Sequence, residues 1–171
     1  TIHLSTYGPA WIWGRDPKAR IVVATYNEDR AAELGDDFLA VVNHKAFRQV
    51  FPKFELSKSS KSKTAMRTIQ GGKLFFVGQG SGTTGKTADY FIIDDPIKGA
   101  DEAQSETMRE RVWQTYNSDI KTRLKPGGSI VLIQTRWHED DLGGRILERE
   151  ADKWKVFRIP MEAGEDDPLG R

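Results

Sequence analysis

Two carboxylates, Asp94 and Asp95, follow the apolar run Phe91-Ile92-Ile93, and Pro96 comes directly after them. A buried strand that ends in paired acids can hold a magnesium ion with one carboxylate and orient an attacking water with the other. Leaving an unpaired charge at the end of a buried strand costs several kcal/mol, so such a pair calls for an explanation. The alternative is a strand that leaves the core through a polar turn, for which Asp-Asp-Pro is ordinary turn chemistry. The hexapeptide alone leaves both readings open.

A second candidate lies just upstream. Gly80-Ser81-Gly82-Thr83-Thr84-Gly85-Lys86-Thr87 matches the phosphate-loop pattern G-x-x-x-x-G-K-[ST] at every position. That chemistry needs a helix to begin at the lysine, so that its free amides and dipole face the phosphates. Only Ala88, Asp89 and Tyr90 separate Thr87 from the apolar run that carries Asp94. A parallel crossover takes roughly a dozen residues, so the helix has no room. The segment is read as a flexible Gly/Thr connection near the nucleotide, and the match as a decoy.

The elements that must position Asp94 and Asp95 alternate between strands and helices. Ile2 to Trp13 reads as a helix that Gly8-Pro9 must kink or interrupt, and Gly14 to Pro17 as a turn. Ile21 to Tyr26 suits a buried strand, after which Asn27 caps a helix with Ala31, Leu34, Phe38, Val41 and Val42 on one face. Met66 to Gln70 and Lys73 to Gly78 flank Gly71-Gly72 as a hairpin. Beyond the Asp94 strand, a helix from about Asp101 repeats at Met108, Val112, Tyr116 and Ile120. Pro126-Gly127-Gly128 breaks the chain before a strand at Ser129 to Gln134. A helix over Glu139 to Glu150 and a last strand over Trp154 to Ile159 complete the order. This order predicts an α/β fold, a mostly parallel sheet with helices on both faces, whose ligands bind beyond the carboxyl ends of the strands. Asp94, Asp95 and Thr135 fall at such ends.

Composition sets the limits. A chain of 171 residues fits one domain, and 30% charged against 37% hydrophobic residues describes an ordinary soluble protein without a transmembrane run. The absence of cysteine excludes disulfides and thiolate metal sites. A net charge of +1 decides nothing about nucleic acid, but Lys58, Lys61, Lys63 and Arg67 cluster in and after a Lys/Ser run. Such a run is either a solvated loop or a phosphate-contacting one. The chain opens on Thr1 without an initiator methionine and closes on the linker-like Ala163 to Arg171, so a domain excised from something longer is expected.

Several longer stretches carry a family likeness. They are Gly8-Pro9-Ala10-Trp11 through Pro17, Ala24-Thr25-Tyr26-Asn27, Ala88 through Lys98, Gln104-Ser105-Glu106-Thr107, Val112-Trp113 and Thr122 through Gly128. The most specific is Gln134-Thr135-Arg136-Trp137-His138-Glu139-Asp140-Asp141-Leu142-Gly143-Gly144-Arg145. Across nearly its whole length the chain resembles the large terminase subunit, the packaging motor of tailed bacteriophages and prophages. The resemblance implies a RecA-like P-loop NTPase domain of the additional-strand type over residues 1–160, with its Walker A segment lying upstream of Thr1. It implies that residues 161–171 begin a linker to a nuclease domain. Asp94 matches the Walker B aspartate that holds Mg²⁺, and Asp95 the catalytic carboxylate, where many members carry glutamate. Thr135, flanked by Gln134 and Arg136, matches the coupling motif that senses the γ-phosphate of ATP. The implied partners are double-stranded DNA, the portal protein, the small terminase subunit and further copies in a ring. The implied setting is the host bacterial cytoplasm at the procapsid portal, away from any membrane.

Other residues carry less. His138 has no second histidine at ligand spacing, so helix capping or contact with the acidic turn is expected rather than a metal. Asp140 and Asp141 are expected in the first turn of a helix, where negative charge is favoured. The five tryptophans, Trp11, Trp13, Trp113, Trp137 and Trp154, read as core. Arg136 and Arg145 are each placed to act as an arginine finger or to pair structurally. Two rival functions remain: another RecA-like motor such as a helicase, and a non-enzymatic module that binds DNA, a neighbouring subunit or the portal. A two-metal nuclease centred on Asp94-Asp95 lacks further acids at strand ends.

Overall fold

The computed structural model describes residues 3–59, 62–79 and 85–157. The helices are α1 (Gly8–Arg15), α2 (Glu28–Asn43), α3 (Lys45–Val50), α4 (Ala100–Gln104), α5 (Glu106–Thr115), α6 (Lys121–Arg123) and α7 (Leu142–Arg149). The strands are β1 (Arg20–Thr25), β2 (Ala65–Arg67), β3 (Lys73–Gly78), β4 (Ala88–Asp94) and β5 (Leu124–Ile133). They form one sheet in the order β2-β3-β1-β4-β5. β3, β1, β4 and β5 run parallel, and the short β2 lies antiparallel on the edge.

Alternation along the strands sends side chains to two cores. Ile21, Val23, Leu74, Phe76 and Ile92 face a cluster with Trp13, Leu34 and Phe38 on the side of α1 and α2. Val22, Phe91 and Ile93 face the other side, against Val112, Tyr116, Leu142 and Ile146 of the carboxyl-terminal helices. Burying both faces explains why the middles of β1 (residues 21–24) and β4 (residues 91–93) are continuous apolar runs rather than alternating.

The local chemistry behaves largely as expected. Asn27 caps α2 by accepting the Arg30 amide at 2.8 Å. The Gly71-Gly72 turn closes β2 onto β3, with Gly71 at φ 96°, a conformation glycine adopts without strain.

Several boundaries differ. The first helix is split: His3–Tyr7 forms a π-turn, and α1 restarts with Pro9 in its first turn, where the missing amide is harmless. The helix expected from Asp101 is two, because the Ser105 side chain accepts the Met108 amide and starts α5 afresh. α5 then runs through a second π-turn at Tyr116–Ile120 into α6. Pro126-Gly127-Gly128 does not delay β5, which begins at Leu124 and takes up the irregularity as a register shift opposite Ala88 and Tyr90. α7 starts at Leu142 rather than Glu139, since Asp141 accepts the Gly144 amide at 2.8 Å as the N-cap. Trp154 to Phe157 form no strand, and the remainder of that expected element lies outside the described residues. The linker expected at 161–171 lies outside them as well.

Candidate active site

β1 and β4 are neighbours, and Thr25 and Asp94 are register partners at their carboxyl ends. Asp94 is 1% exposed, and its Oδ1 has no hydrogen-bond partner. Burial pushes its carboxyl above the usual range. The nearby Ser5 hydroxyl and the Arg30 guanidinium act the other way, while the Asp95 charge adds to the rise. Ser5 Oγ nonetheless reaches hydrogen-bond geometry with nothing. Thr25 Oγ1 is likewise buried and unpartnered.

Asp95 is the one non-glycine residue at positive φ among those described, at 43°. Aspartate tolerates this left-handed region better than most side chains, and such outliers gather at functional sites. The turn is fixed from β5. Asp95 donates its amide to the Ile133 carbonyl at 2.9 Å, and its Oδ1 accepts the Thr135 amide at 3.1 Å. Asp95, Gln134, Thr135 and Trp137 line a small cleft directly above this turn. Gln134 Nε2 is buried there without a partner.

The structure therefore brings Asp94, Asp95, Gln134 and Thr135 together at one end of the sheet. Arg136 is directed elsewhere: its Nε donates to Asp141 Oδ2 at 2.8 Å and its Nη2 to the Glu139 carbonyl at 3.2 Å. Arg145 is buried in a network, donating to both Asp140 oxygens at 2.7 and 2.8 Å and to Glu110 at 2.6 Å. Arg109 completes it, reaching Asp140 Oδ2 at 3.1 Å and the carbonyls of Ala103 and Gln104. Arg145's hydrogen bonds, opposed by partial burial and reinforced by Arg109, hold the Asp140 carboxyl well below the usual carboxylate range. Asp140 thus precedes the helix as an ion-pair hub instead of occupying its first turn.

Lys86 and Thr87 stand at the opposite end of the sheet. Thr87 accepts Arg20 Nη1 at 2.9 Å beside the start of β1, and β4 begins at Ala88 with no helix between. At ~3.3 Å per residue along β4, that is roughly 20 Å from Asp94. Residues 80–84 of the pattern lie outside the described residues. In the basic stretch, Lys58 is exposed and Lys63 pairs with Asp36 at 2.7 Å; Lys61 lies outside the described residues. The Thr64 carbonyl accepts the Phe76 amide, so this loop sits at the same sheet end as Asp94, two strands away from β4 beyond β3 and β1.

The family model for the terminase large subunit, T4likevirus-type, N-terminal, matches residues 2–168. The chain belongs to this family. A solved structure, the crystal structure of the HK97 bacteriophage large terminase, is similar at 15% identity with a TM-score of 0.49. The likeness covers 85% of this chain and 30% of that one. No curated protein matches.

Within this terminase domain, sequence reasoning missed Ser5, Thr25 and Arg30 at the site. Thr25 had a usable signal, since it ends an apolar strand just as Asp94 does. Ser5 and Arg30 become neighbours of Asp94 only through the packing of the π-turn and α2 on the sheet. Trp11 and Trp137, read as core, are 56% and 44% exposed; Arg15 stacks on Trp11 with its guanidinium 4.9 Å from the ring centre. His138 Nδ1 accepts the Asp140 amide at 3.0 Å, a contact within the acidic turn. Among the described residues no three His, Cys, Asp or Glu side chains group as a metal cage, and no helix is long and apolar enough to cross a membrane.

Proposed function

We propose that this domain is the ATPase motor of a viral DNA-packaging terminase, of the RecA-like additional-strand type, coupling ATP hydrolysis to translocation of double-stranded DNA into a capsid. Asp94 carries the reading: a carboxylate sealed at the end of a central parallel strand, with an oxygen that nothing among the described residues binds. A hard cation that keeps most of its waters and takes one carboxylate suits that donor, so the residues present fit Mg²⁺ held by Asp94. When bound with ATP, Mg²⁺ supplies charge neutralisation at the transferring phosphoryl group.

Asp95 has the complementary task. Its Oδ1 is engaged by the Thr135 amide, which aims Oδ2 at a water and lets it accept that water's proton as attack begins. Thr135 and Gln134 line the same cleft, where a hydroxyl and an amide can register the γ-phosphate. Any shift of Thr135 on phosphate loss alters the bond that orients Asp95, which links hydrolysis to movement of the segment. Arg136, held by Asp141, borders this segment and would reach the nucleotide only on release from that pair.

DNA contact is assigned to phosphates through Lys58, Lys61, Lys63 and Arg67. The exposed Lys63–Asp36 pair is worth little and exchanges readily for a phosphate. In the assembled motor the partners are the portal protein, the small terminase subunit and sister copies in a ring, in the host bacterial cytoplasm. The deciding experiment is Mg-ATP turnover by the full-length protein with and without Asp95→Asn. Loss of about 10²-fold or more with the fold intact supports the reading, whereas wild-type turnover by the variant removes Asp95 from the chemistry.

A further inference from the structure

Buried hydroxyls in this molecule fall into two kinds. Thr68 is 3% exposed and uses its oxygen fully, donating to the Pro17 carbonyl and accepting the Gly72 amide. Thr25 is 3% exposed and Ser5 0%, yet the oxygens of both are idle. Buried polar atoms normally find partners, so idle ones need a reason. Thr6 Oγ1, beside Ser5 in the π-turn and also fully buried, is idle as well, and so is Gln70 Oε1, which lies at the far edge of the sheet near Lys53. Thr25 and Ser5 instead flank the idle oxygen of Asp94.

The placement follows from strand alternation. Ile21, Val23 and Ile92 face the α1–α2 side, so Thr25, two residues beyond Val23, and Asp94, two beyond Ile92, project to that same side. As register partners on adjacent strands, their backbones are ~4.8 Å apart. The π-turn packs over β4 on that face and brings Ser5 close enough to act on the Asp94 carboxyl. The idle oxygens of Thr25, Ser5 and Asp94 are thus gathered at one end of the sheet on one face.

We propose that Thr25 and Ser5 are positioning residues that hold the hydration waters of a divalent cation carried by Asp94. The inference rests on the reading of Asp94 as the cation-bearing carboxylate and adds two residues to that site. Hydroxyls suit the task because each can donate or accept, whichever the water requires. Groups one hydrogen bond removed from an ion typically change its affinity by about 10–100-fold when lost.

The test is Mn²⁺ binding to the full-length protein without nucleotide, read by electron paramagnetic resonance, beside thermal melting in metal-free buffer. The variants are Thr25→Val, Ser5→Ala, Asp94→Asn and, for comparison, Thr68→Val. Thr25→Val is expected to weaken Mn²⁺ by about tenfold while its metal-free melting temperature holds or rises, because valine fills the same space and removes an idle polar atom. Ser5→Ala should act in the same direction. Thr68→Val should melt lower and bind Mn²⁺ as wild type does. Unchanged Mn²⁺ affinity in both Thr25→Val and Ser5→Ala, with affinity lost in Asp94→Asn, overturns this inference alone. Unchanged affinity in Asp94→Asn overturns the reading of the site beneath it.

Discussion

Replacing Asp94 by asparagine should make the chain more stable while removing the proposed cation ligand. The side chain is 1% exposed, its Oδ1 is unpartnered, and the opposing Arg30 is engaged with Glu33 at 3.0 Å. An unsatisfied buried polar group costs about 1–3 kcal/mol, and a charged one lies at the upper end or beyond. Asparagine keeps the volume and drops the charge, though its amide is also imperfectly served. A net gain of about 1–2 kcal/mol at pH 7 follows, roughly 2–8 °C in melting temperature for a chain of this size. The pH dependence has a definite sign. Burial raises the folded carboxyl above its unfolded value, so the folded state binds the proton more tightly. Stability from this group is therefore full below the unfolded pKa of ~3.9 and is lost as pH rises through the folded value. Urea denaturation of wild type and Asp94→Asn from pH 4 to pH 8, without divalent ions, measures it, and the difference between the two curves should widen with pH. A variant less stable than wild type by more than about 1 kcal/mol at pH 7 would show that the carboxylate is a paired structural group rather than a donor free to take a cation.

Arg145→Met should destabilise the chain by about 2–3 kcal/mol in urea; this is below the usual loss for a broken buried pair because Asp140 and Glu110 are partly exposed and Asp140 keeps Arg109. If Arg145→Met kept full stability and lost only turnover, Arg145 would be an arginine finger after all. Gly143→Ala and Gly144→Ala should part company: a Cβ at Gly144 would meet the Glu139 carbonyl at 1.8 Å and cost stability in a thermal melt, whereas one at Gly143 meets the flexible Gln134 side chain at 2.9 Å and Asp141 Oδ1 at an ordinary contact distance of 3.5 Å. Gly143→Ala should thus leave melting near wild type or up to about 1 kcal/mol better, yet lower ATP turnover by displacing Gln134. Neutralising Lys58 and Lys63 together should weaken DNA binding uniformly across sequences and make the log–log salt slope shallower by about 2, and an unchanged slope would remove both from the DNA contact.

β1, β3 and α2 were legible because their signals are local: apolar runs of strand length, an Asn cap, and a helical period. Boundaries failed where a side chain competed for the backbone. Ser105 and Asp141 each cap a helix inside a stretch whose periodicity reads as continuous. Pro126-Gly127-Gly128 reads as a break, yet Gly127 at φ 78° lets the strand absorb the irregularity and continue. Asp94 and Asp95 stood out because acids after an apolar run violate the pattern around them. Thr25 and Ser5 did not, since a threonine at a strand end and a serine in a helix are unremarkable until parallel pairing and the π-turn set them beside Asp94.

The segment after β5 is tied at both of its ends. Thr135 gives its amide to Asp95, whose strained turn depends on β5 for its other bond. Six residues on, Asp141 caps α7 and holds Arg136, while Asp140 is gripped by Arg109 of α5 and Arg145 of α7. Between these anchors the chain carries only Arg136, Trp137, His138 and Glu139. A connection this short cannot absorb a displacement of Thr135 as slack. Under the proposed function the buried arginines would therefore contribute without touching the nucleotide: by fixing the far anchor to two helices, they would pass a change at the Asp95 carboxylate on as a load on α5 and α7.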